Sequence, residues 1–158
     1  MKDFCLVRIT VVSIEETIPK AFFEDIALLG IEFDDGDVEQ LASYLHLLYE
    51  KNRVMNLTAV KSIHDAWERH IYDSLTLLPI LSGIDCEHVI DVGSGGGLPG
   101  IPLAITLPEM TFVLVETTQK KALFLSFFVV NLFQKLKIFK SIFFIFKKVP
   151  SFRSWSRP

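Results

Sequence analysis

Between residues 38 and 49 the apolar positions Val38, Leu41, Ala42, Leu45, Leu48 and Tyr49 recur at intervals of three and four. That spacing lines one face of a helix, and DDGDVEQLASYLHLLYEKN is read as one. Its Asp-rich start suits the positive end of the helix dipole. Upstream, IPKAFFEDIALLGI predicts a shorter helix with Pro19 near its start and Gly30 near its stop. NRVMNLTAV breaks the periodicity and is read as a loop. SIHDAWERHIYDSLTLLPIL predicts a further helix, with Ser62 as its cap and Asp65 in the capping-box position. Ile63, Ala66, Trp67, Ile71, Leu75 and Leu78 form its buried stripe, and Arg69, His70 and Asp73 share another face.

The period then changes. HVIDVG reads as a strand, LPGIPLAITLP as a short helix with Pro99 or Pro102 in its first turn, TFVLVE as a second strand, and TQKKALFLSFFVVNLF as a helix. Helices followed by strand–helix–strand–helix predict an α/β fold with a parallel sheet, of which only two strands are legible. LVRITVV, residues 6–12, is ambiguous between a short strand and part of an extension.

The 158 residues suit one domain, and a half-hydrophobic chain with 22% charged residues is a folding one. The net charge of −3 points to neither nucleic acid nor membrane, but it hides a break. Through Glu116 there are 7 basic and 19 acidic residues, net −12; from Thr117 onward there are 9 basic residues and no acid. Nine of the 14 phenylalanines stand at or after Phe124, and the last glycine is Gly100. Cys5 and Cys86 match no metal or redox spacing. The N-terminus lacks the apolar core of a signal peptide, and the charge-free run Ala122 to Gln134 is too short to span a bilayer. A soluble, cytoplasmic protein without membrane attachment is expected.

Chemistry concentrates in VIDVGSGGGLPG. Gly93, Gly95, Gly96 and Gly97 fall within five positions, and Gly100 follows. In a βαβ unit ligands bind where the strand ends and the helix begins, and glycines let backbone amides approach them. An acidic residue ending the second strand accepts hydrogen bonds from ribose hydroxyls, and Glu116 stands there, 25 residues after Asp91. Gly95-x-Gly97-x-x-Gly100 satisfies the dinucleotide fingerprint, although it begins late relative to the strand. S-adenosylmethionine also offers a ribose, but carries a sulfonium where a dinucleotide has its pyrophosphate. Asp91, at the end of the strand, suits a cationic ligand and would repel a pyrophosphate. The residues favour the methyl donor over NAD(P), with a plain strand–helix turn as a third reading. No catalytic triad, nucleophilic cysteine or metal-ligand cluster is visible; no catalytic residue is assigned and no metal is expected.

DVGSGGGLPGIPLAI, followed by LVE and KKALFL, closely resembles the bacterial glucose-inhibited division protein B family of small-subunit ribosomal RNA guanine-N7 methyltransferases. NLTAV at 56–60 and ERHIYDSL at 68–75 match that family too, and the Leu98-Pro99-Gly100-Ile101-Pro102 continuation separates it from other methyltransferases. The resemblance covers roughly Pro19 to Leu125. It implies a Rossmann-like class I S-adenosylmethionine-dependent methyltransferase fold with an N-terminal helical cap. It implies that Gly93 and Leu98 contact the methyl donor, that Gly95 and Gly97 shape the loop, and that Glu116 lies at the ribose. It also implies a place for Arg69 and His70 near the cofactor or the RNA. Ordinary polar positions on a helix remain the alternative for His70 and Asp73. Lys120 and Lys121 are open to either RNA phosphates or solvent. The implied activity is methylation of guanine N7 in 16S ribosomal RNA. N7 has a lone pair and no proton, so the reaction needs positioning and electrostatics more than a general base.

After Leu125 the family's later motifs, an Arg-containing segment and Ser-Arg-Ala, are not found. With the charge break, this leads to the expectation of a truncated, frameshifted copy, lacking the C-terminal half of the sheet and with weak or no activity. The expected division is 1–17 an extension, 18–82 the helical cap, 83–125 the first half of the methyltransferase domain, and 126–158 a basic, Phe-rich tail. The rival readings are a non-catalytic fragment that binds adenosyl ligands or RNA, with the tail gripping phosphates and bases, and an NAD(P)-binding Rossmann protein.

Overall fold

In the computed structural model, which describes residues 18–136 and 142–145, the chain enters helix α1, Lys20–Leu28, from an extended Pro19. The expected extension 1–17, with Cys5, and the tail beyond residue 145 lie outside the described residues. Phe22 and Ile26, one turn apart on α1, are its buried pair. Helix α2, Asp37–Met55, is longer than its periodicity suggests, because NRVM continues the helix instead of beginning a loop. The helix stops at Asn56, whose left-handed backbone turns the chain. The Asn52 side chain then clasps Thr58 through both backbone groups: its Nδ2 donates to the Thr58 carbonyl at 3.0 Å and its Oδ1 accepts the Thr58 N–H at 2.9 Å. Polar positions in the last turn of α2 thus serve the returning chain, which is why the apolar period fades before the helix ends.

Ser62 caps the next helix as expected, its Oγ accepting the Asp65 N–H at 3.4 Å. The single helix read from the sequence is instead α3, Ile63–Ala66, a π-helical segment, Trp67–Tyr72, and α4, Asp73–Leu75, followed by α5, Leu78–Leu81. Trp67, Ile71, Leu75 and Leu78 are buried as expected, and Ile63 partly so.

Strand β1, His88–Val92, helix α6, Gly100–Thr106, strand β2, Thr111–Val115, and helix α7, Gln119–Leu136, follow in the expected order. A third strand, β3, Ile142–Ile145, was not among the two read from the sequence. The sheet is parallel in the order β1-β2-β3, with Ile90 opposite Val113 and Val113 opposite Phe143. IFFI is rich in the β-branched and aromatic residues that suit a strand. Helix α7 crosses Leu125 without a break.

The core joins helices and sheet. Phe22 meets Trp67 edge-on at 4.9 Å between ring centroids, and Tyr44 meets Phe128 edge-on at 5.3 Å. Ile101, Leu103, Ala104 and Ile105 of α6 are buried with Phe112 and Leu114 of β2. Parallel strands ordinarily have both faces covered. Here Ile90 and Val92 of β1 remain 64% and 69% exposed, beside a groove of about 220 Å³ whose walls include Leu77, Ile80, Leu81 and Leu103. Among the described residues no helix is long and apolar enough to cross a membrane.

Candidate functional site

The loop after β1 first extends the ladder to β2: the Gly93 and Ser94 N–H groups donate to the Val115 carbonyl at 2.7 and 3.2 Å. It then tightens on itself. The Gly97 and Leu98 N–H groups donate to the Ser94 carbonyl at 2.6 and 3.0 Å, and the Ser94 hydroxyl donates to the Asp91 carbonyl at 3.0 Å. Gly97 has φ +101°, and a Cβ there would collide with Ile101. Gly93 has φ +88° with open space where a side chain would project. The first is therefore glycine because of the protein's own packing; the second leaves room for something else.

Glu116 closes the loop from the end of β2. Its Oε2 accepts the Gly95 N–H at 2.8 Å and its Oε1 the Thr118 N–H at 2.6 Å, just ahead of α7. Only 6% of the residue is exposed. Burial pushes its carboxyl up, but the Thr118 amide and hydroxyl, the Gly95 amide and the Lys121 charge outweigh this and hold it below its usual range. Lys121 thus acts on Glu116. A buried carboxylate kept ionised in this way retains acceptor capacity for further donors.

Asp91 sits at the other wall. Its Oδ2 accepts the Gly100 N–H at 3.1 Å at the start of α6. Burial raises its pKa, the Gly100 amide and Ser94 oppose that, and the charge of Glu116 adds to the rise. Two carboxylates therefore flank one glycine loop, an arrangement that attracts a cation. Gly95 has φ +56°, and Leu98 is half-buried ahead of Pro99, to which it is joined by a cis peptide.

Arg69 and His70 lie on the π-helical segment. With Asp73, Ser74 and Leu77 they line an open cleft of about 350 Å³ that Leu98 and Pro99 close from the loop side. The fold thus brings this pair to the glycine loop. His70 Nδ1 lies 3.0 Å from the Arg69 carbonyl, which can only accept, so Nδ1 carries the proton. Nε2 then accepts from the Thr58 hydroxyl at 2.6 Å. Burial lowers the His70 pKa, against the Arg69 carbonyl and the Asp73 charge. A neutral imidazole pinning NLTAV to the π-helical segment is the result.

Tyr44, Asn52 and the Thr58 side chain escaped the sequence reading. Tyr44 is fully buried, and its hydroxyl donates to the Gly96 carbonyl at 3.2 Å. Gly96 packs against Leu48: a Cβ there would stand 2.9 Å from Leu48 Cδ1, so that any larger residue would have to displace this side chain. Asn52 and Thr58 hold the returning chain. Tyr44 follows Leu41 by three and precedes Leu48 by four, so the helical period could have included it with the apolar stripe. Among the described residues no cluster of His, Cys, Asp or Glu is placed to hold a metal ion.

A profile of the GidB family, described as rRNA small subunit methyltransferase G, matches residues 37–141. The match runs past Leu125, where the motifs legible by eye end. The ribosomal RNA small subunit methyltransferase G of Sorangium cellulosum is 46% identical over 110 residues, covering 69% of this chain and 46% of the relative. The proteins of the same name from an Azoarcus species and from Ectopseudomonas mendocina are 44% and 46% identical over 101 and 97 residues, covering 64% and 61% of this chain and 47% and 45% of their own lengths. The chain spans about half the length of the curated relatives it matches.

Proposed function

This chain belongs to the GidB family of ribosomal RNA small subunit methyltransferases, and from that premise we propose that its glycine loop holds S-adenosylmethionine for methyl transfer to guanine N7 of 16S ribosomal RNA. The observation that carries the reading is the pair of carboxylates around the loop: Glu116 at the end of β2, bonded to the Gly95 amide, and Asp91 at the end of β1, bonded to the Gly100 amide. An adenosyl ligand fits this donor set. Glu116, ionised and buried, accepts ribose hydroxyls. Asp91 supplies a negative charge for the cationic end, where a dinucleotide's pyrophosphate would be repelled. The open space over Gly93 admits ligand atoms against the backbone, and Leu98 supplies an apolar contact. When bound, S-adenosylmethionine supplies an electrophilic methyl group, and N7 takes it with a lone pair, so that one C–N bond forms, one S–C bond breaks and no proton has to leave. Arg69 and His70 border the cleft from the RNA side of this reading, His70 as a neutral group that orients the wall.

A second reading is a fragment that binds adenosyl ligands without turnover: the two carboxylates at the loop account for binding and assign no catalytic group. Calorimetric titration with S-adenosylmethionine, S-adenosylhomocysteine and NADH, followed by transfer of labelled methyl to small ribosomal subunits, separates these readings. Binding of both adenosyl ligands with labelled N7-methylguanine supports the proposal. Binding without label supports the fragment, and preference for NADH overturns both. Asp91→Asn keeps an acceptor for the Gly100 amide and removes the charge. It is expected to weaken S-adenosylmethionine roughly tenfold, the ~1.4 kcal/mol of one partly buried charge pair, while leaving the product, whose sulfur is a neutral thioether, less affected.

A further inference from the structure

We infer that Tyr44 is a positioning residue of the glycine loop, which makes helix α2 a working part of the adenosyl site; the functional half of this inference rests on the reading of that loop given above. The Tyr44 hydroxyl reaches a loop residue 52 positions away and donates to the Gly96 carbonyl at 3.2 Å. One turn further along α2, Leu48 presses on Gly96, with Cδ1 2.9 Å from where a side chain would begin. The neighbouring Gly95 is held by Glu116, whose Oε2 accepts its N–H at 2.8 Å. Two successive glycines are therefore pinned by two different elements, Gly95 by the end of β2 and Gly96 by α2.

The hydroxyl is well placed for this work. The ring is fully buried and meets Phe128 edge-on at 5.3 Å, which fixes its plane. Burial, with the Asp91 charge adding to it, raises the phenol well above its usual 10.0, so the group remains a donor. Glycine backbone is conformationally permissive, and the loop's own hydrogen bonds, from Gly97 and Leu98 to the Ser94 carbonyl, leave the Gly96 carbonyl to Tyr44. The loop's geometry depends on such outside contacts, and a binding site held by a supporting layer loses affinity when that layer loosens.

The test is Tyr44→Phe, which removes one hydroxyl and keeps the ring. Amide hydrogen exchange is measured for Gly95, Gly97 and Leu98 and for the interiors of α2 and α7, together with S-adenosylhomocysteine affinity. One lost hydrogen bond predicts loop exchange faster by about fivefold, with helix interiors unchanged and affinity reduced by a similar factor. Unchanged loop exchange overturns the inference. So does a uniform rise across loop and helices, which marks a packing role only, and so does faster loop exchange with unaltered affinity. Tyr44→Leu, which also removes the ring, is expected to raise exchange in loop and helices together; a change confined to the loop would overturn the division of labour between ring and hydroxyl. If the wild-type chain binds no S-adenosylhomocysteine, the adenosyl reading fails, while the exchange comparison still decides whether Tyr44 positions the loop.

Discussion

Glu116 shows how one side chain can tie a loop to the approach of a helix. Its two oxygens are bonded to amides on either side of it, in the glycine loop and at the approach to α7. Because these bonds favour the carboxylate, its folded pKa lies below the ordinary 4.5. The folded state therefore binds fewer protons than the unfolded chain in that range. The stabilisation is fully present above the ordinary value and is lost as pH falls through the lower folded value. Glu116→Gln places an amide group against one of the two N–H donors. It is expected to cost about 1–3 kcal/mol at neutral pH. Chemical denaturation of both proteins along a pH series should show the gap closing below pH 4.5; a gap that persists in acid would refute the ionic origin. Glycine has two distinct reasons in the same loop: Gly96 and Gly97 yield to neighbouring side chains, whereas Gly93 borders open space.

At the scale of elements, the π-helical segment Trp67–Tyr72 is the departure that matters. A π-turn inside a helix is uncommon and often accompanies functional sites. Here it carries both Arg69 and His70 to the cleft beside Leu98 and Pro99, while Trp67 and Ile71 remain buried. The Thr58 bond ties the segment to the chain leaving α2. His70 is expected to titrate below the ordinary 6.5 and to show the Nδ1–H tautomer in nitrogen-15 spectra. Thr58→Val should abolish the Nε2 bond and leave the Nδ1–H tautomer in place, because the Arg69 carbonyl still fixes the proton; a shift to the Nε2–H tautomer would refute that assignment. Trp67→Ala is expected to cost about 3–5 kcal/mol, the usual range for a buried large aromatic, measurable by thermal or urea unfolding.

Among the described residues the sheet is unevenly covered. Helices bury one side of the sheet, but Ile90 and Val92 stand 64% and 69% exposed on β1, which pairs only with β2 among the described residues. An exposed strand edge with aliphatic side chains invites association with other chains. Concentration-dependent self-association is therefore expected in light scattering, and Ile90→Lys should reduce it. Equal association of both proteins would move its origin elsewhere, and the basic, Phe-rich sequence after Glu116 is the first alternative.

Local pattern was enough for most elements and for the position of the glycine loop. Helical period marked α1 and α2, the switch to short apolar runs marked β1 and β2, and the glycines with Asp91 and Glu116 pointed to an adenosyl ligand. These signals are local because secondary structure and turn chemistry depend on neighbours within a few residues. Three things depended on contacts between segments far apart in the chain. The end of α2 meets the returning chain through Asn52 and Thr58, the π-helical segment is tied to that same chain through His70 and Thr58, and the loop accepts a hydrogen bond from Tyr44, 52 positions away. The third strand became legible only beside β2, because a short aromatic run declares itself a strand through its partner. Sequence alone determined which residues stand in the glycine loop and at the ends of the two strands; packing decided which of them support one another, because a buried polar group is placed by the partner it must find.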